Sequence, residues 1–447
     1  MSRTRFRVLW LLVIAALLAA SVGCAATQPA KAIPADQMLS AYVNAPDSSF
    51  KWEKGPVKEN AAVSLSDIVL TSQTWHGTTW RHLLRIAKPA QVTYPGWMVL
   101  YITGGSGEPN PGQPSGDDVL ATTLAQATGA PVAVLRQVPN QPLFGGLSED
   151  GIISYTFQEY LKDGDPTWPA LFPMVKSAVR AMDAIQAYAK QEWQQDIGNF
   201  IVFGGSKRGW TTWLTAAYDG GKRVKAIAPA VIDTLNMKKQ LPHEFELWGK
   251  YSEQIAEYTS KGLQAMFNTP RGEALWTAVD PYTYRDRITI PKLILRGAND
   301  PYWPTDALNL YWDDLVGPKW TLYVPNVGHG LNDPVRLLNT LGAYIRTIAA
   351  GKTMPDISWT LKTEGDKLTI TVNAPQATGA QAWVAQADNL DFRPQRWEST
   401  PMQGGNGAYS ITIQRPANKN IAAFGEVDFV QDGKPFTLST QNAIVRK

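Results

Sequence analysis

Between about residue 36 and residue 351, apolar residues fall in short continuous runs separated by longer mixed stretches. The runs occupy residues 97–103, 131–135, 199–203, 224–229, 292–295 and 320–324. A strand that is covered on both faces is apolar throughout, so each run predicts a strand inside a parallel sheet. Residues 173–193 have helical periodicity. This alternation predicts an α/β fold with a doubly wound, mostly parallel sheet.

After Pro355 the pattern changes to strict alternation of apolar and polar residues. The alternating segments are residues 359–362, 367–372, 382–385, 409–413 and 436–439, with turn signals such as Glu364-Gly365-Asp366 between them. A period of two is typical of a strand that buries one face. Residues 356–447 are therefore predicted to form a second domain, an antiparallel β-sandwich of the immunoglobulin or fibronectin type.

Two stretches interrupt the βα rhythm of the first domain. Residues 137–168 are rich in Gly, Pro, Asp and aromatic residues, and residues 233–287 carry an extra helical insert. Insertions in such folds usually lie above the carboxyl edge of the sheet, where they form lids and pocket walls. We expect both stretches to cover a binding site.

The beginning of the chain predicts export. Arg3, Arg5 and Arg7 precede an apolar run at residues 8–20 and a group of small residues, which is the layout of a secretory signal. We place this signal at residues 1–26 and a polar linker at residues 27–35. The apolar run is too short for a comfortable membrane span, and no later segment approaches the roughly eighteen apolar residues that a span requires.

Cys24 is the single cysteine of the chain and follows Ser21-Val22-Gly23. This is where a bacterial lipoprotein signal places its acylated cysteine, although the third residue before it is Ser rather than the usual Leu. The alternative is an ordinary cleavage site after Ala25 or Ala26. We expect the protein in the periplasm or held at the outer membrane by a lipid at Cys24, with no other membrane association.

Composition excludes several classes of function. The chain is 44% apolar and 18% charged, which is typical of a globular protein. A net charge of +3 without a Lys/Arg block does not favour a nucleic-acid partner. The sequence contains no metal-ligand spacing, phosphate loop or dinucleotide fingerprint, so we expect neither a metal nor a cofactor.

Ser206 is the candidate nucleophile. It follows the strand at residues 199–203 and precedes a helical run that begins near Trp210, with Gly204, Gly205 and Gly209 around it. A nucleophile on a sharp turn between strand and helix needs small neighbours, because the backbone is strained and the helix packs closely behind it. The spacing is the wider G-x-S-x-x-G rather than the common G-x-S-x-G.

The order of possible partners strengthens this interpretation. Asp300 and His329 each follow a predicted strand, so the chain order is Ser, acid, His, as in the α/β-hydrolase triad. His329 would accept the proton of Ser206, and Asp300 would orient the imidazole. Asp306 is a nearby substitute acid. The remaining histidines, in less suggestive contexts, are His76, His82 and His243.

Acyl transfer also needs donors for an oxyanion. The backbone N–H of Lys207 is one candidate, and the loop with Gly104 and Gly105 after an early strand is placed to give another. Ser106 in that loop has no helix behind it and is interpreted as loop lining. Arg208 next to the nucleophile is open to two interpretations, binding an anionic substrate or pairing with surface acids.

Trp210 and Trp303 are further candidates for substrate binding, because the chain is rich in Trp and both lie next to triad segments. Several segments together resemble the PhoPQ-activated pathogenicity-related protein family: residues 205–213, 228–237, 280–285, 297–303 and 324–330. The resemblance implies an exported α/β-hydrolase with an appended β-sandwich, and it supports the triad positions. No settled substrate comes with it.

The sequence thus predicts a serine hydrolase of the cell envelope, acting as an esterase or a peptidase on a small molecule or a peptide. A protein that keeps the hydrolase scaffold only for binding or signalling is the alternative, since a fold does not fix a function. Reactivity of Ser206 distinguishes the two, because binding needs no activated hydroxyl.

Overall fold

The predicted apolar runs of the first domain all lie in strands of the computed structural model, which describes residues 33–447. The strands are β1 (Lys51–Lys58), β2 (Val63–Trp75), β3 (Thr78–Pro89), β4 (Trp97–Ile102), β5 (Val132–Leu135), β6 (Asn199–Gly205), β7 (Val224–Ala230), β8 (Lys292–Gly297), β9 (Lys319–Val324), β10 (Ser358–Glu364), β11 (Lys367–Asn373), β12 (Gly379–Ala387), β13 (Glu398–Pro401), β14 (Gln403–Gly405), β15 (Ala408–Gln414), β16 (Asn420–Gln431), β17 (Lys434–Ser439) and β18 (Ala443–Val445). The helices are α1 (Met38–Asn44), α2 (Gly116–Thr128), α3 (Asp150–Asp163), α4 (Leu171–Trp193), α5 (Lys207–Asp219), α6 (Met237–Trp248), α7 (Ala256–Thr259), α8 (Pro270–Val279) and α9 (Pro334–Ala349).

The main sheet has the order β1-β2-β3-β5-β4-β6-β7-β8-β9. Strands β5, β4, β6, β7, β8 and β9 pair in parallel, and their continuous burial is the reason for their unbroken apolar runs. The mixed α/β sheet predicted from the sequence is confirmed. Parallel strands place their carboxyl ends at one edge, so the segments that follow β4, β6, β8 and β9 meet there.

The antiparallel strands β1, β2 and β3 at the start of the sheet were not predicted. Strands β2 and β3 form a long hairpin around a turn at His76-Gly77, in which both residues have positive φ. Polar residues such as Ser72, Gln73 and His82 are buried in this hairpin, and they interrupt the apolar pattern that would have revealed it.

Residues 233–287 form the helical insert between β7 and β8. The insert contains α6, α7 and α8, connected by short 3₁₀ segments at Glu253–Ile255, Leu263–Asn268 and Pro281–Arg287. The buried Asp280 carboxylate joins the two ends of the insert, because it accepts hydrogen bonds from the backbone N–H groups of Asn236, Met237 and Tyr282. Both ends of the insert are thereby held together over the carboxyl edge of the sheet.

The C-terminal region consists of antiparallel strands, as predicted. One sheet has the order β10-β11-β15-β14, and a second group has the order β17-β16-β12-β13 with β18 on β16. The two layers touch in the middle: a Cβ on Gly425 of β16 would lie 3.4 Å from side-chain carbons of Ile370 and Val372 on β11. The long strand β16 was missed because nearly all of it is buried and shows no alternation.

The second group of C-terminal strands continues the main sheet. Ser439 of β17 pairs with Thr321 of β9, and the Ser439 hydroxyl accepts the N–H of Tyr323 at 3.0 Å. Tyr323 also stacks on Phe424 with ring centroids 5.1 Å apart. Residues 35–447 form one compact unit.

The predicted export signal at residues 1–26, with Cys24, lies outside the described residues, as does most of the linker. From residue 33 onward, none of the helices combines the length and the apolar character needed to cross a bilayer.

Candidate active site

Ser206 lies on the turn between β6 and α5, where the sequence predicts a nucleophile. Its φ of 57° and ψ of −129° are strained for a residue with a side chain. A Cβ on Gly204 would come within 2.6 Å of the Arg208 carbonyl oxygen, and one on Gly209 would come within 2.6 Å of Ile232 Cγ2. Glycine is therefore required two residues before and three residues after the serine. This explains the wider spacing of the motif.

His329 and Asp300 are hydrogen-bonded on the loops that follow β9 and β8. Nδ1 of His329 lies 2.9 Å from Oδ2 and 3.1 Å from Oδ1 of Asp300. The carboxylate is buried, with 4% of its side chain exposed, and Oδ1 also accepts the Tyr302 N–H at 2.9 Å. The carboxylate is thus held in place on the Nδ1 side of the imidazole, which fixes the orientation of the ring.

The substitute acid Asp306 has a different partner. Its Oδ1 lies 2.8 Å from Nε2 of His243, on α6 of the insert. Burial lowers the pKa of His243, but the hydrogen bond and charge of Asp306 outweigh burial, and the net shift is upward. The structure therefore pairs Asp300, and not Asp306, with His329.

His76 and His82 do not line the cavity described below. His82 is fully buried in the β2–β3 hairpin, between the Ser72 hydroxyl and the Arg136 carbonyl, and burial lowers its pKa to about 4. His76 stacks on Trp168 with ring centroids 3.8 Å apart.

The loops that carry Asp300 and His329 pack directly on each other. The Asn299 N–H donates to the Val327 carbonyl at 3.0 Å. Gly297 leaves no room for a side chain, because a Cβ there would lie 2.4 Å from the Gly328 carbonyl oxygen. Close contact between the two backbones therefore sets the distance between acid and base.

Ser206 and His329 line the same cavity, whose volume is about 60 Å³. Trp210 and Trp303, both predicted to bind substrate, also line it and are buried. The insert contributes much of the remaining wall, mainly through Met237, Leu241, Ile255, Tyr258, Leu263 and Trp276. The insert therefore covers part of the cavity, whose lining is mostly apolar.

His329 Nε2 is buried and has no hydrogen-bond partner among the described residues. The Ser206 hydroxyl makes no hydrogen bond there either. Because both residues line one cavity, the free Nε2 and the free hydroxyl belong to the same small space. An imidazole nitrogen left as an acceptor is what a general base requires.

Of the candidate oxyanion donors, Lys207 is adjacent to Ser206 in sequence, and Gly104 and Gly105 follow β4, the strand that pairs with β6. Lys207 is the first residue of α5, so its N–H has no acceptor within the helix, and no side chain caps this end. In the loop after β4, the N–H groups of Gly104 and Gly105 have no hydrogen-bond partner within residues 33–447. Lys207 lines the cavity, whereas Gly104 and Gly105 do not. Ser106 is likewise outside the lining.

The side chains of Lys207 and Arg208 are both paired with acids at the start of α3. Arg208 binds Glu149 through two bonds of 2.7 Å and donates to the Val138 carbonyl at 2.5 Å. Lys207 Nζ lies 2.8 Å from Glu149 and 3.2 Å from Asp150. Arg208, for which the sequence left both a substrate contact and an ion pair open, is outside the cavity lining.

Glu149 and Tyr302 are site residues that the sequence did not reveal. Partial burial opposes the charge of Glu149, but its bonds to Arg208 and Lys207 outweigh burial and lower its pKa to about 2. The Tyr302 ring lies 4.2 Å from the His329 ring, and burial raises the pKa of its hydroxyl to about 12. The Glu-Asp pair at the start of α3 and the Tyr two residues after Asp300 are weak signals without a structure.

A metal site is not apparent at this location. In the part of the chain that the structure describes, no group of three or more His, Cys, Asp or Glu side chains is arranged to hold a metal ion.

The amino-acid sequence is similar to those of known proteins. The sequence model of the PhoPQ-activated pathogenicity-related protein family matches residues 39–393. Autocrine proliferation repressor protein A of Dictyostelium discoideum is 29% identical over 432 residues, which cover 88% of this chain and 86% of that protein.

Solved structures with a similar backbone include two esterases. The acetyl xylan esterase from Paenibacillus sp. R4 matches with a TM-score of 0.47 and 16% identity, over 66% of this chain and 87% of its own. Acetyl xylan esterase 1 from Thermoanaerobacterium sp. JW/SL YS485 matches with a TM-score of 0.48 and 15% identity, over 70% and 93%. Likeness at this distance says nothing about substrate.

Proposed function

This chain belongs to the PhoPQ-activated pathogenicity-related protein family, and we propose that it is a serine hydrolase that cleaves an ester or amide by acyl transfer. One observation carries the proposal. Ser206, on a strained turn, lines the same mostly apolar cavity as His329, whose Nδ1 is bonded to the buried carboxylate of Asp300. Strain of this kind persists where the surrounding structure enforces it, which is common at sites of chemistry.

In the proposed reaction, His329 Nε2 takes the proton of Ser206 as the hydroxyl oxygen attacks the substrate carbonyl. Asp300 orients the ring through Nδ1 and stabilises the imidazolium that forms. The N–H of Lys207 and an N–H of the Gly104-Gly105 loop donate hydrogen bonds to the oxygen that carries the developing negative charge. His329 then protonates the leaving group, and water releases the acyl group by the reverse sequence. No cofactor takes part in these steps.

The cavity favours a small acyl group. A volume of about 60 Å³ with apolar walls suits a short chain better than a long one. An acylated small molecule and a peptide with a small side chain both satisfy this requirement, so the proposal covers esterase and peptidase activity.

The proposal also includes export and the role of the terminal regions. We place the signal at residues 1–26, the linker at 27–35, the hydrolase domain at 36–351 and the second domain at 356–447. Acylation of Cys24 would hold the protein at the outer membrane; without acylation it would be periplasmic. Labelling of cells with a fatty acid tests this, and a Cys24→Ser variant must lose any label.

We further assign the C-terminal region to the immunoglobulin- or fibronectin-like sandwiches. The strand orders β10-β11-β15-β14 and β17-β16-β12-β13, packed face to face, support this classification.

The decisive experiment is reaction of the purified protein with a fluorophosphonate, followed by mass spectrometry to locate the adduct. Folded wild-type protein should be labelled at Ser206, while heat-unfolded protein and Ser206→Ala should not. Asp300→Asn should slow labelling by roughly 10³- to 10⁴-fold, since it disturbs the tautomer of the base.

Asp306→Asn is the matched control, because it removes the same type of carboxylate from the other Asp–His pair. The rate at which fluorophosphonate labels this variant should be within about twofold of the wild-type rate. If folded wild-type protein is not labelled, or if Ser206→Ala is labelled equally, the proposal fails and the non-catalytic binding protein becomes the better explanation.

A further inference from the structure

A loop of the C-terminal region contacts both of the loops that carry the acid and the base of the triad. This loop, here called the clamp loop, comprises residues 388–397 between β12 and β13. It comes from a part of the chain far from the triad in sequence, and it ends where β13 begins. Its contacts with Asn299 and Asn326 are made by backbone groups of the clamp loop, so these contacts do not depend on its side chains.

On the acid side the contact is made by Asn299, the residue immediately before Asp300. Its Nδ2 lies 2.6 Å from the Gln395 carbonyl oxygen, 3.0 Å from that of Arg393 and 3.5 Å from that of Phe392. The backbone N–H of Asn299 is at the same time bonded to Val327 on the histidine loop. Asn299 therefore connects the loop of Asp300 to both the clamp loop and the histidine loop.

On the base side the contact is made by Asn326, three residues before His329. Its Nδ2 donates to the Trp397 carbonyl at 3.0 Å, and its Oδ1 accepts the Trp397 N–H at 2.8 Å. The φ of Asn326 is 58°, in the left-handed region that Asn tolerates better than most residues. The pair of bonds holds the start of the histidine loop in this unusual conformation.

The side chain of Arg393, in the clamp loop, also contacts the segment after Asp300 and the insert. Its Nη1 lies 3.4 Å from the Pro301 carbonyl oxygen and 3.4 Å from Glu253. Its guanidinium also lies over the Trp248 ring, at 3.8 Å from the centroid. The clamp loop is thereby bonded both to the loop of Asp300 and to the insert that lines the cavity.

The clamp loop is itself firmly anchored. Phe392 and Trp397 are 2% and 1% exposed, and Trp397 packs on Phe424 of β16 with ring centroids 5.2 Å apart. A loop with two aromatic anchors in the core can fix the groups bonded to it, because buried aromatic side chains have few alternative positions.

We propose that Asn299 and Asn326 are positioning residues of the triad, through which the C-terminal region sets the geometry of Asp300 and His329. This inference rests on the proposed function, since it assigns the two residues a part in the same reaction. The C-terminal region is then a component of the active site and more than a cover or a separate binding module. Hydrogen bonds that hold a base in place affect turnover more than substrate binding.

Asn299→Ala and Asn326→Gly test the proposal, with Gly chosen at 326 because of the positive φ. Each variant should lower the limiting rate of fluorophosphonate labelling at Ser206 by about tenfold or more, with an unchanged half-saturating probe concentration. Asn326→Asp keeps the acceptor for the Trp397 N–H and should recover part of the rate.

Asn309→Ala is the control. Asn309 also donates from Nδ2 to a carbonyl of the C-terminal region, that of Asn442 at 2.8 Å, but it lies on neither triad loop. It should label at the wild-type rate. Near-UV circular dichroism checks that each variant is folded, and Asn326→Asp replaces Asn326→Gly if the latter is not.

A second measurement does not depend on catalysis. The proton between His329 Nδ1 and Asp300 should give a slowly exchanging NMR signal, assigned by its loss in His329→Gln, and it should broaden in Asn299→Ala and Asn326→Gly. Wild-type labelling rates and an unchanged signal in both variants would overturn the inference. If wild-type protein is not labelled at all, the proposed function fails, and the NMR signal alone decides the positioning role.

Discussion

Arg208, two residues after Ser206, forms a bidentate ion pair with Glu149, with Nη1 2.7 Å from Oε2 and Nη2 2.7 Å from Oε1. The guanidinium lies directly against Gly104, where a Cβ would be 2.5 Å from Nη2. The side chain two positions after Ser206 thus supports the loop that is expected to contribute an oxyanion donor. A planar group held at both nitrogens is well suited to this, because it leaves a flat surface for the loop to pack on.

Arg208→Lys should therefore lower the reactivity of Ser206 while leaving the fold intact. Lysine keeps the charge but cannot make both bonds or present a flat surface. A charge-assisted hydrogen bond contributes roughly 1.5–3 kcal/mol, so a tenfold slower labelling rate is expected. The matched control is Arg223→Lys, which changes a similar pair with Asp183 away from the cavity. Equal rates for both variants would contradict the supporting role.

A second prediction concerns the contact between the acid and base loops at Gly297. Gly297→Ala would place a Cβ 2.4 Å from one carbonyl oxygen and 2.6 Å from another, both on the histidine loop. The loops must separate, which should cost about 1–3 kcal/mol of unfolding free energy and lengthen the Asp300–His329 bond. Urea unfolding and the labelling rate at Ser206 measure the two effects.

Gly198→Ala is the control for this prediction, since no atom lies within 4 Å of the added Cβ. Its stability should change by no more than about 0.5 kcal/mol. A Gly297→Ala variant that behaves like this control would mean that the two loops can move apart without disturbing the triad.

The sequence was sufficient to predict the parallel strands, because residues buried on both faces must be apolar. Ser206, Asp300 and His329 could be named as candidates because each follows such a strand. The fold places Ser206 and His329 in the lining of one cavity and bonds Asp300 to His329. The pairing of Asp300 rather than Asp306 with His329 could be established only from the structure. The two carboxylates are six residues apart, and each is hydrogen-bonded to a histidine.

What the sequence could not reveal depends on contacts between distant segments. Glu149 pairs with Arg208 across 59 residues, and Asn326 pairs with Trp397 across 71. Neither pair has a local pattern. The hairpin of β2 and β3 was missed for a related reason, since its buried polar side chains are satisfied by α4 and by the segment after β5, which only the fold brings near.

A third prediction concerns stability and pH, through Glu244 on α6 of the insert. Glu244 is fully buried, and burial raises its pKa from 4.5 to about 7, against the opposing effect of the Ser252 N–H. The pKa of Glu244 is higher in the folded than in the unfolded protein, so protonated Glu244 stabilises the fold relative to the ionised form. This contribution of Glu244 to the free energy of unfolding is complete below about pH 4.5 and is lost as the pH rises through 7.

Glu244→Gln should remove this dependence. The difference in unfolding free energy between wild type and Glu244→Gln should change by on the order of 1–3 kcal/mol between pH 4.5 and pH 7, in favour of the variant. Chemical denaturation at several pH values measures it. Glu246→Gln, at an exposed position on the same helix, should show no such change in this direction. A constant difference across this range would show that Glu244 does not titrate there.

The last prediction concerns the acyl group that the cavity accepts, and it uses two leucines of α6. Leu241 and Leu247 are each 6% exposed, but only Leu241 lines the cavity. Wild-type protein should prefer acetyl or propionyl esters over hexanoyl esters, because the cavity measures about 60 Å³. Leu241→Ala should raise the hexanoyl-to-acetyl rate ratio by about tenfold or more, since each accommodated methylene is worth roughly 1–3 kcal/mol.

Leu247→Ala should lose similar stability, about 2–5 kcal/mol, without changing that ratio. Hydrolysis of a series of nitrophenyl esters measures the ratio, and urea unfolding measures the stability. A ratio that shifts equally in both variants would mean that general loosening of the insert, rather than added space at Leu241, admits the longer chain. A ratio that shifts in neither would place the acyl group outside this cavity and leave Leu241 as a side chain of the insert core.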